Sequence, residues 1–180
     1  MPRPAPARRA GADADEEWRD RDIAGWLFSL PNAEYERCCA PDHIACGYTT
    51  TDDGQPMSIN VERIGGALIV QQYLAQVHRP DRCEMVSISD VFPPTGGHTK
   101  TQVNWTLSVE DLGDGRSKYT NSVVAYATQD FIDFLEQTGG TFEAAAAARQ
   151  ASSGDHNRRE TPLFAESIAR WSLAKARTAA

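Results

Sequence analysis

The sequence has no long apolar run, few cysteines and no basic surplus. A membrane-spanning helix needs about 18 or more consecutive apolar residues, and no such run occurs. The four cysteines, Cys38, Cys39, Cys46 and Cys83, show no C-x-x-C spacing and are too few for a disulfide framework in 180 residues. We therefore expect a cytoplasmic protein with reduced thiols and no membrane span.

Basic residues are also outnumbered by acidic ones, 18 against 25, which gives a net charge of −7. Nucleic-acid binding requires a basic surface that neutralises phosphates, so we expect no nucleic-acid partner. The start, MPRPAPARRAGADADEE, lacks the apolar core of a secretory signal. Its composition predicts a disordered tail over residues 1–14, followed by a single domain over residues 15–180.

The middle of the chain has a pattern typical of β-strands joined by tight turns. Turn signals occur at Asp53-Gly54, Gly65-Gly66, Pro80-Asp81 and Asp114-Gly115. Between them the sequence predicts strands at about residues 43–51, 56–64, 67–78, 83–92, 99–110 and 116–128. Hairpin connections make neighbouring strands antiparallel, and long strands twist and curl. We therefore predict an α+β fold with a curled antiparallel sheet of six to seven strands.

Helical patterns flank these strands on both sides. An amphipathic pattern ends at Leu30, and a second short helix is predicted over residues 33–39. After Thr128 we predict one helix closed by Gly139-Gly140, and another that begins at Thr141 and ends near residues 152–154. A separate final helix is predicted to begin at Pro162, with Thr161 as its N-cap.

The strands on either side of Asp114-Gly115 offer a candidate binding face. If this turn is a two-residue loop, Trp105 lies opposite Val124, Leu107 opposite Ser122 and Val103 opposite Tyr126. Such a mixture of large apolar groups and hydroxyls suits a cavity for an apolar ligand. An ordinary core whose hydroxyls bond to the backbone would have the same mixture. For residues 57–92 the pattern does not decide which face points inward, and a bulge could exchange the faces.

The stretch DHNRRETPLFAES contains a candidate metal or proton-transfer pair, His156 and Glu160. On one continuous helix, residues four apart share a face and could bind the same ion. The start of a helix at Pro162 would instead place the pair in the preceding turn. Spacing selects no further ligand from the remaining candidates, which are His78, His98, Glu84 and Asp90, and a zinc site of Cys38, Cys39, Cys46 and His43 is an alternative.

Asp90 is a candidate acid or base because it shares a predicted strand face with Val86 and Ile88. A carboxyl group on an apolar face has a raised pKa. The alternative is a strand-end residue that accepts backbone donors in the turn at Pro93-Pro94.

The order of elements resembles the helix-grip fold of the START and Bet v1 superfamily, the polyketide cyclase and lipid-transfer group. The resemblance spans about residues 15–177 and depends on element order, the turns Gly65-Gly66 and Asp114-Gly115, and the helix from Pro162 to Lys175. Two features depart from the group: no strand is evident before the first helices, and extra helix lies between Thr128 and Gly154. The resemblance implies a sheet wrapped around a long C-terminal helix with a ligand between them. It also implies cyclase activity in some members and zinc bound through His and Glu in related hydrolases.

Three functions follow as hypotheses. The first is binding of a small apolar or aromatic molecule, lipid-like or polyketide-like, without a cofactor. Cyclase-type catalysis could accompany it, with Asp90 or His156 as catalytic candidates, and the ligand-binding candidates are Tyr73, Trp105, Asn121, Ser122, Tyr126, Phe164, Ile168 and Trp171. The second is a metal-dependent hydrolase that uses His156 and Glu160. The third is a non-catalytic interaction module that forms a homodimer.

Overall fold

The computed structural model describes residues 13–15, 22–113 and 116–179. These residues form seven strands and four helices. In chain order they are β1 (Asp13–Asp15), α1 (Ile23–Leu27), α2 (Asn32–Cys38), β2 (His43–Thr50), β3 (Pro56–Ile64), β4 (Ala67–Arg79), β5 (Arg82–Phe92), β6 (Thr99–Gly113), β7 (Arg116–Ala127), α3 (Gln129–Thr138) and α4 (Phe142–Ala179).

The strands form one antiparallel sheet in the order β1-β7-β6-β5-β4-β3-β2. The order from β7 to β2 is that of a meander, because each hairpin turn brings consecutive strands side by side. Helix α4 packs against β3 and β7, which lie toward opposite sides of the sheet. The predicted α+β class, with an antiparallel sheet around a long C-terminal helix, is therefore confirmed.

A strand does precede the first helix, contrary to the sequence prediction. Residues Asp13 to Asp15 pair with Arg116 to Lys118 of β7. Asp13 and Ala14 thus belong to the sheet and not to the predicted tail, whose residues 1–12 lie outside the described residues. A strand of three residues, two of them acidic, carries no alternating pattern from which it could be predicted.

Helix α4 is continuous over 38 residues, so the predicted end near residue 153 and the predicted start at Pro162 are wrong. An interior proline costs about 3 kcal/mol, and full burial of an apolar side chain such as Phe164 or Ile168 contributes about 1.5–3 kcal/mol. The two buried side chains therefore offset the proline, which is exposed. Despite its length, α4 is not apolar enough to cross a membrane, and neither is any other helix within the described ranges.

The β6–β7 hairpin is shifted by one residue from the predicted register. Trp105 lies opposite Val123 and Leu107 opposite Asn121, because an irregularity between Asp111 and Gly113 lengthens the connection. A shift of one residue turns every side chain of a strand to the other face. Asn121 therefore points inward.

Buried side chains identify the inward faces of β3, β4 and β5. A bulge between Ala75 and Val77 shifts the β4–β5 register, as one of the alternatives for this region allowed. The inward side chains of these three strands are unusually polar for a buried surface. They include Ser58, Asn60, Glu62, Gln71, Ser87 and Ser89.

The contact between α4 and the sheet is built from aromatic rings. The ring of Phe164 lies 5.0 Å from Trp26 in an edge-on arrangement and 6.2 Å from Trp105. Tyr73 packs against Trp105 at 5.2 Å. The indole of Trp26 also donates a hydrogen bond to Ser167 Oγ at 3.1 Å. These contacts fix the helix over the polar inner face of the sheet.

The turn at Gly65 provides a test of the contact between the β3–β4 hairpin and α4. Gly65 has φ +59°, and a Cβ atom there would lie 2.5 Å from Ser152 Oγ. We expect Gly65→Ala to lower the free energy of unfolding by about 1–2 kcal/mol, because a left-handed backbone disfavours any Cβ. Urea denaturation measures the change.

Gly47→Ala is the matched control. A Cβ at Gly47 would have nothing within 4 Å, and we expect a change within about 0.5 kcal/mol. If the two variants were equally stable, the left-handed backbone of Gly65 in this turn would be contradicted.

Candidate functional site

Two histidines and two glutamates meet beneath α4. His43 and Glu62 are paired residues of β2 and β3, and His156 and Glu160 lie one helical turn apart on α4. Their side-chain ligand atoms all lie within 4.8 Å of one another, and each residue is only 3% to 5% exposed. We call these four residues the His–Glu cluster.

One oxygen of Glu160 lies between the two imidazoles. Its Oε1 atom is 3.1 Å from His43 Nε2 and 3.6 Å from His156 Nε2. The Oε1 atom of Glu62 is 3.9 Å from the same His43 nitrogen. The Nε2 atoms of both histidines therefore point toward carboxylate oxygen.

The outward nitrogens of both histidines have their own partners. His43 Nδ1 donates to the carbonyl oxygen of Tyr35 at 2.6 Å, and the two rings stack 3.8 Å apart. His156 Nδ1 lies 3.0 Å from Asp42 Oδ2, which also accepts a hydrogen bond from Arg159. These contacts orient both rings, so that each directs Nε2 into the cluster.

Hydrogen bonds also hold the two glutamates. The Tyr35 hydroxyl donates to Glu62 Oε1 at 2.6 Å, and burial together with the charge of Glu62 raises the pKa of Tyr35 well above its ordinary value. The Gln71 amide nitrogen donates to Glu62 Oε2 at 3.2 Å, in the amide orientation that also accepts from Tyr73. Asn121 Nδ2 donates to Glu160 Oε2 at 2.6 Å.

The charges of the cluster require compensation. Burial raises the pKa of Glu160, but hydrogen bonds from His156 and His43 outweigh it and lower this pKa. Burial likewise lowers the pKa of His156, and hydrogen bonds to Cys39 and Glu160 outweigh it and raise this pKa. Two buried carboxylates need two positive charges nearby. Arg149 provides part of this charge beside Glu62, and protons on the histidines or one divalent cation could provide the rest.

A small space adjoins the cluster and is lined by both the sheet and α4. Its volume is about 20 Å³, enough for one water molecule or one ion. Polar side chains and the rings of Tyr73 and Trp105 share its lining, which comprises Asn60, Glu62, Ile64, Gln71, Tyr73, Trp105, Val123, Arg149, Ser153, His156, Asn157 and Glu160. This space is therefore much smaller than an apolar guest would need.

The structure brings together only part of the predicted site. Tyr73 and Trp105 line the space, and Asn121 contacts Glu160. Phe164 and Ile168 are fully buried in the core, and Trp171 packs against its edge. Ser122 and Tyr126 lie on the outer face because of the register shift, and Tyr126 is 44% exposed.

The other candidates lie away from the cluster. Asp90 is on the outer face of β5 and pairs with His98 at 2.8 Å, so it cannot act as an acid or base beneath α4. Glu84 pairs with Arg82, and His78 packs against Phe28.

The predicted cysteine set assembles only in part, because Cys39 and His43 come together with His156 in a group that could hold a metal ion, whereas Cys38 and Cys46 do not join it. Cys38 and Cys46 direct their thiols to backbone carbonyls of Leu163 and Leu30. Of the cysteines, Cys39 approaches the cluster, where its sulfur lies 3.5 Å from His156 Nδ1.

Comparisons with known proteins concern the fold. No family model matches the sequence, and no curated protein matches it. A START superfamily protein from Mycobacterium smegmatis is 14% identical, with 86% of this chain and 97% of that chain covered and a TM-score of 0.38. A protein from Arthrobacter aurescens, solved by NMR, is 13% identical, with 91% and 87% covered and a TM-score of 0.44. The order of helices and the meander described above give this chain a START- and Bet v1-like helix-grip fold.

Proposed function

We propose that this protein is a metal-dependent hydrolase that holds one divalent cation, Zn²⁺ by preference, between His43, His156 and Glu160. The observation that carries the proposal is the direction of the donor atoms. Each of the three side chains is fixed by an outer hydrogen bond and turns a remaining donor atom toward the same point. Histidines that bind metals usually donate their other ring N–H to a carbonyl or carboxylate.

The spacing of the donors fits such an ion. Ligands about 2.0–2.1 Å from a tetrahedral zinc ion are roughly 3.3 Å apart. The Glu160 oxygen is 3.1 Å and 3.6 Å from the two imidazole nitrogens. A dication would also neutralise the two carboxylates of the cluster and replace protons on its histidines.

Two histidines and one carboxylate form a donor set of catalytic zinc sites, which leave a position for water. A bound zinc ion would lower the pKa of that water to near neutrality. Glu62 lies beside this position, held by Tyr35 and Gln71, and we assign it the acceptance of the proton from water. The adjoining space of about 20 Å³ has room for one water molecule.

A lipid-like or polyketide-like ligand and cyclase activity have less support. The rings of Tyr73, Trp105 and Phe164 pack against one another, and they fill the region where an apolar guest would lie. The small volume and the several charged and amide side chains of the lining favour a small polar substrate.

The test is metal binding by the purified full chain. After treatment with a chelator, titration with zinc is expected to show one ion per chain. At about 100 times its Kd, zinc should add about 2.7 kcal/mol to the free energy of unfolding and raise Tm by roughly 5–10 °C. Elemental analysis measures the number of zinc ions per chain, and calorimetry measures the change in Tm. A folded protein that binds no zinc would overturn the proposal.

A further inference from the structure

Arg149 places a positive charge beside the His–Glu cluster. It lies on α4 and lines the same small space as Glu62 and Tyr73. Among the described residues, no hydrogen bond or ion pair engages its guanidinium group. Burial lowers the pKa of this group from its ordinary value, although the nearby Tyr73 and Glu62 act in the opposite direction, which indicates that the group has partly lost its hydration.

The other α4 arginines near the cluster differ in this respect. Arg158 and Arg159 pair with Asp155, and Arg159 also pairs with Asp42. A half-buried charge without such a partner is unfavourable unless something else supplies the acceptor. Glu62 attracts the Arg149 charge, but no acceptor among the described residues lies within hydrogen-bond distance of its donors, which indicates a ligand and not only a structural role.

Ser153 gives a second, independent indication. It lies one helical turn after Arg149 and lines the same space. Its Oγ atom is buried and has no hydrogen-bond partner among the described residues. A buried hydroxyl that lacks a partner is uncommon and indicates an absent water or ligand. Two donors on the same face of α4 are thus available to one acceptor group.

We propose that Arg149 and Ser153 bind a carboxylate group of the substrate. A guanidinium group presents two parallel N–H donors that match the two oxygens of a carboxylate. The substrate class is a small organic acid that carries, besides this carboxylate, the bond to be hydrolysed. The direction of that second group toward the His–Glu cluster rests on the proposed function. The space of about 20 Å³ holds little beyond the carboxylate group itself, so the rest of the molecule must be very short.

The test uses metal-free full-length protein, because acetate can itself bind a metal ion. Acetate, acetamide and inorganic phosphate are titrated into the protein by calorimetry. Acetate is expected to bind with a Kd on the order of millimolar, which is within reach of so few atoms. Acetamide, which has no charge, and phosphate, whose tetrahedral group is bulkier than a planar carboxylate, are expected to bind more weakly in so small a space.

Variants of the two donors complete the test. Arg149→Gln is expected to weaken acetate binding between about tenfold and a hundredfold, since a hydrogen bond to a charged group is lost. Arg149→Lys keeps the positive charge but lacks the two parallel N–H donors, so it should weaken acetate binding less. It serves as a second variant if Arg149→Gln does not fold. Arg158→Gln is the matched control, because Arg158 is an exposed arginine of the same helix and should leave binding unchanged.

The outcomes separate this inference from the proposed function. If acetate binds no more tightly than acetamide, or if folded Arg149 variants bind acetate as wild type does, the carboxylate site is contradicted. That result would leave zinc binding untouched. Failure of zinc to bind, with acetate binding that depends on Arg149, would contradict the hydrolase and leave the anion site in place.

Discussion

Replacing Glu160 with glutamine is expected to lower zinc affinity by more than about a hundredfold. Loss of an outer hydrogen-bond partner of a metal ligand costs 10- to about 100-fold, and loss of the ligand's own charge costs more. The Oε1 atom of Glu160 is the oxygen that lies between both imidazoles. An amide at this position has the same size but carries no charge, so its effect reports on metal binding and not on packing.

Zinc titration of the folded, chelator-treated variant measures this effect. Glu166→Gln is the matched control, because Glu166 lies on the same helix, is 60% exposed in its side chain and forms a long ion pair with Arg170 at 3.8 Å. The control should bind zinc as the wild type does. Equal zinc affinity in the Glu160 variant and the wild type would show that an ion, if bound at all, lies elsewhere.

The strands could be predicted from sequence because residue pairs typical of tight turns, such as Gly65-Gly66, separate them. Gly65 and Gly66 have φ +59° and +83°, which suits the tight hairpins that glycine favours. Predicted and observed boundaries of β3 agree at residues 56 and 64. The register of β6 and β7 could not be predicted in this way, because one extra residue near Asp111 reverses the faces without changing the pattern.

The α4 half of the site was accessible to sequence reasoning, and the sheet half was not. The pair His156 and Glu160 has helical spacing, but Pro162 favoured an interpretation as a turn. That local preference is overridden by tertiary packing around Phe164. His43 was a candidate only together with the cysteines, because its partner Glu160 is 117 residues away and no spacing links the two.

Glu62 was missed for a different reason. Ser58, Asn60 and Glu62 alternate with Met57, Ile59 and Val61, a pattern that normally predicts a polar face in water. In the structure this polar face is the buried one. Burying a band of polar side chains beneath a helix costs folding free energy. Such departures from the usual pattern of burial are expected at functional sites.

Replacing Phe164 with alanine is expected to lower the free energy of unfolding by about 3–5 kcal/mol, the usual cost of removing a buried phenylalanine ring. The ring is fully buried and touches three parts of the fold, with Trp26 at 5.0 Å, His43 at 5.7 Å and Trp105 at 6.2 Å. Tm should fall by roughly 6–20 °C. Because the same ring fixes α4 against His43, zinc affinity should fall as well.

Urea denaturation and zinc titration measure both effects, and Leu173→Ala is the control. Leu173 lies two to three turns further along α4 and is 51% exposed, so its loss should change stability by no more than about 0.5 kcal/mol. A Phe164 variant as stable as this control would mean that α4 does not pack on the sheet through this ring. A variant that is destabilised but keeps full zinc affinity would show instead that the cluster holds its geometry without the aromatic contact beneath it.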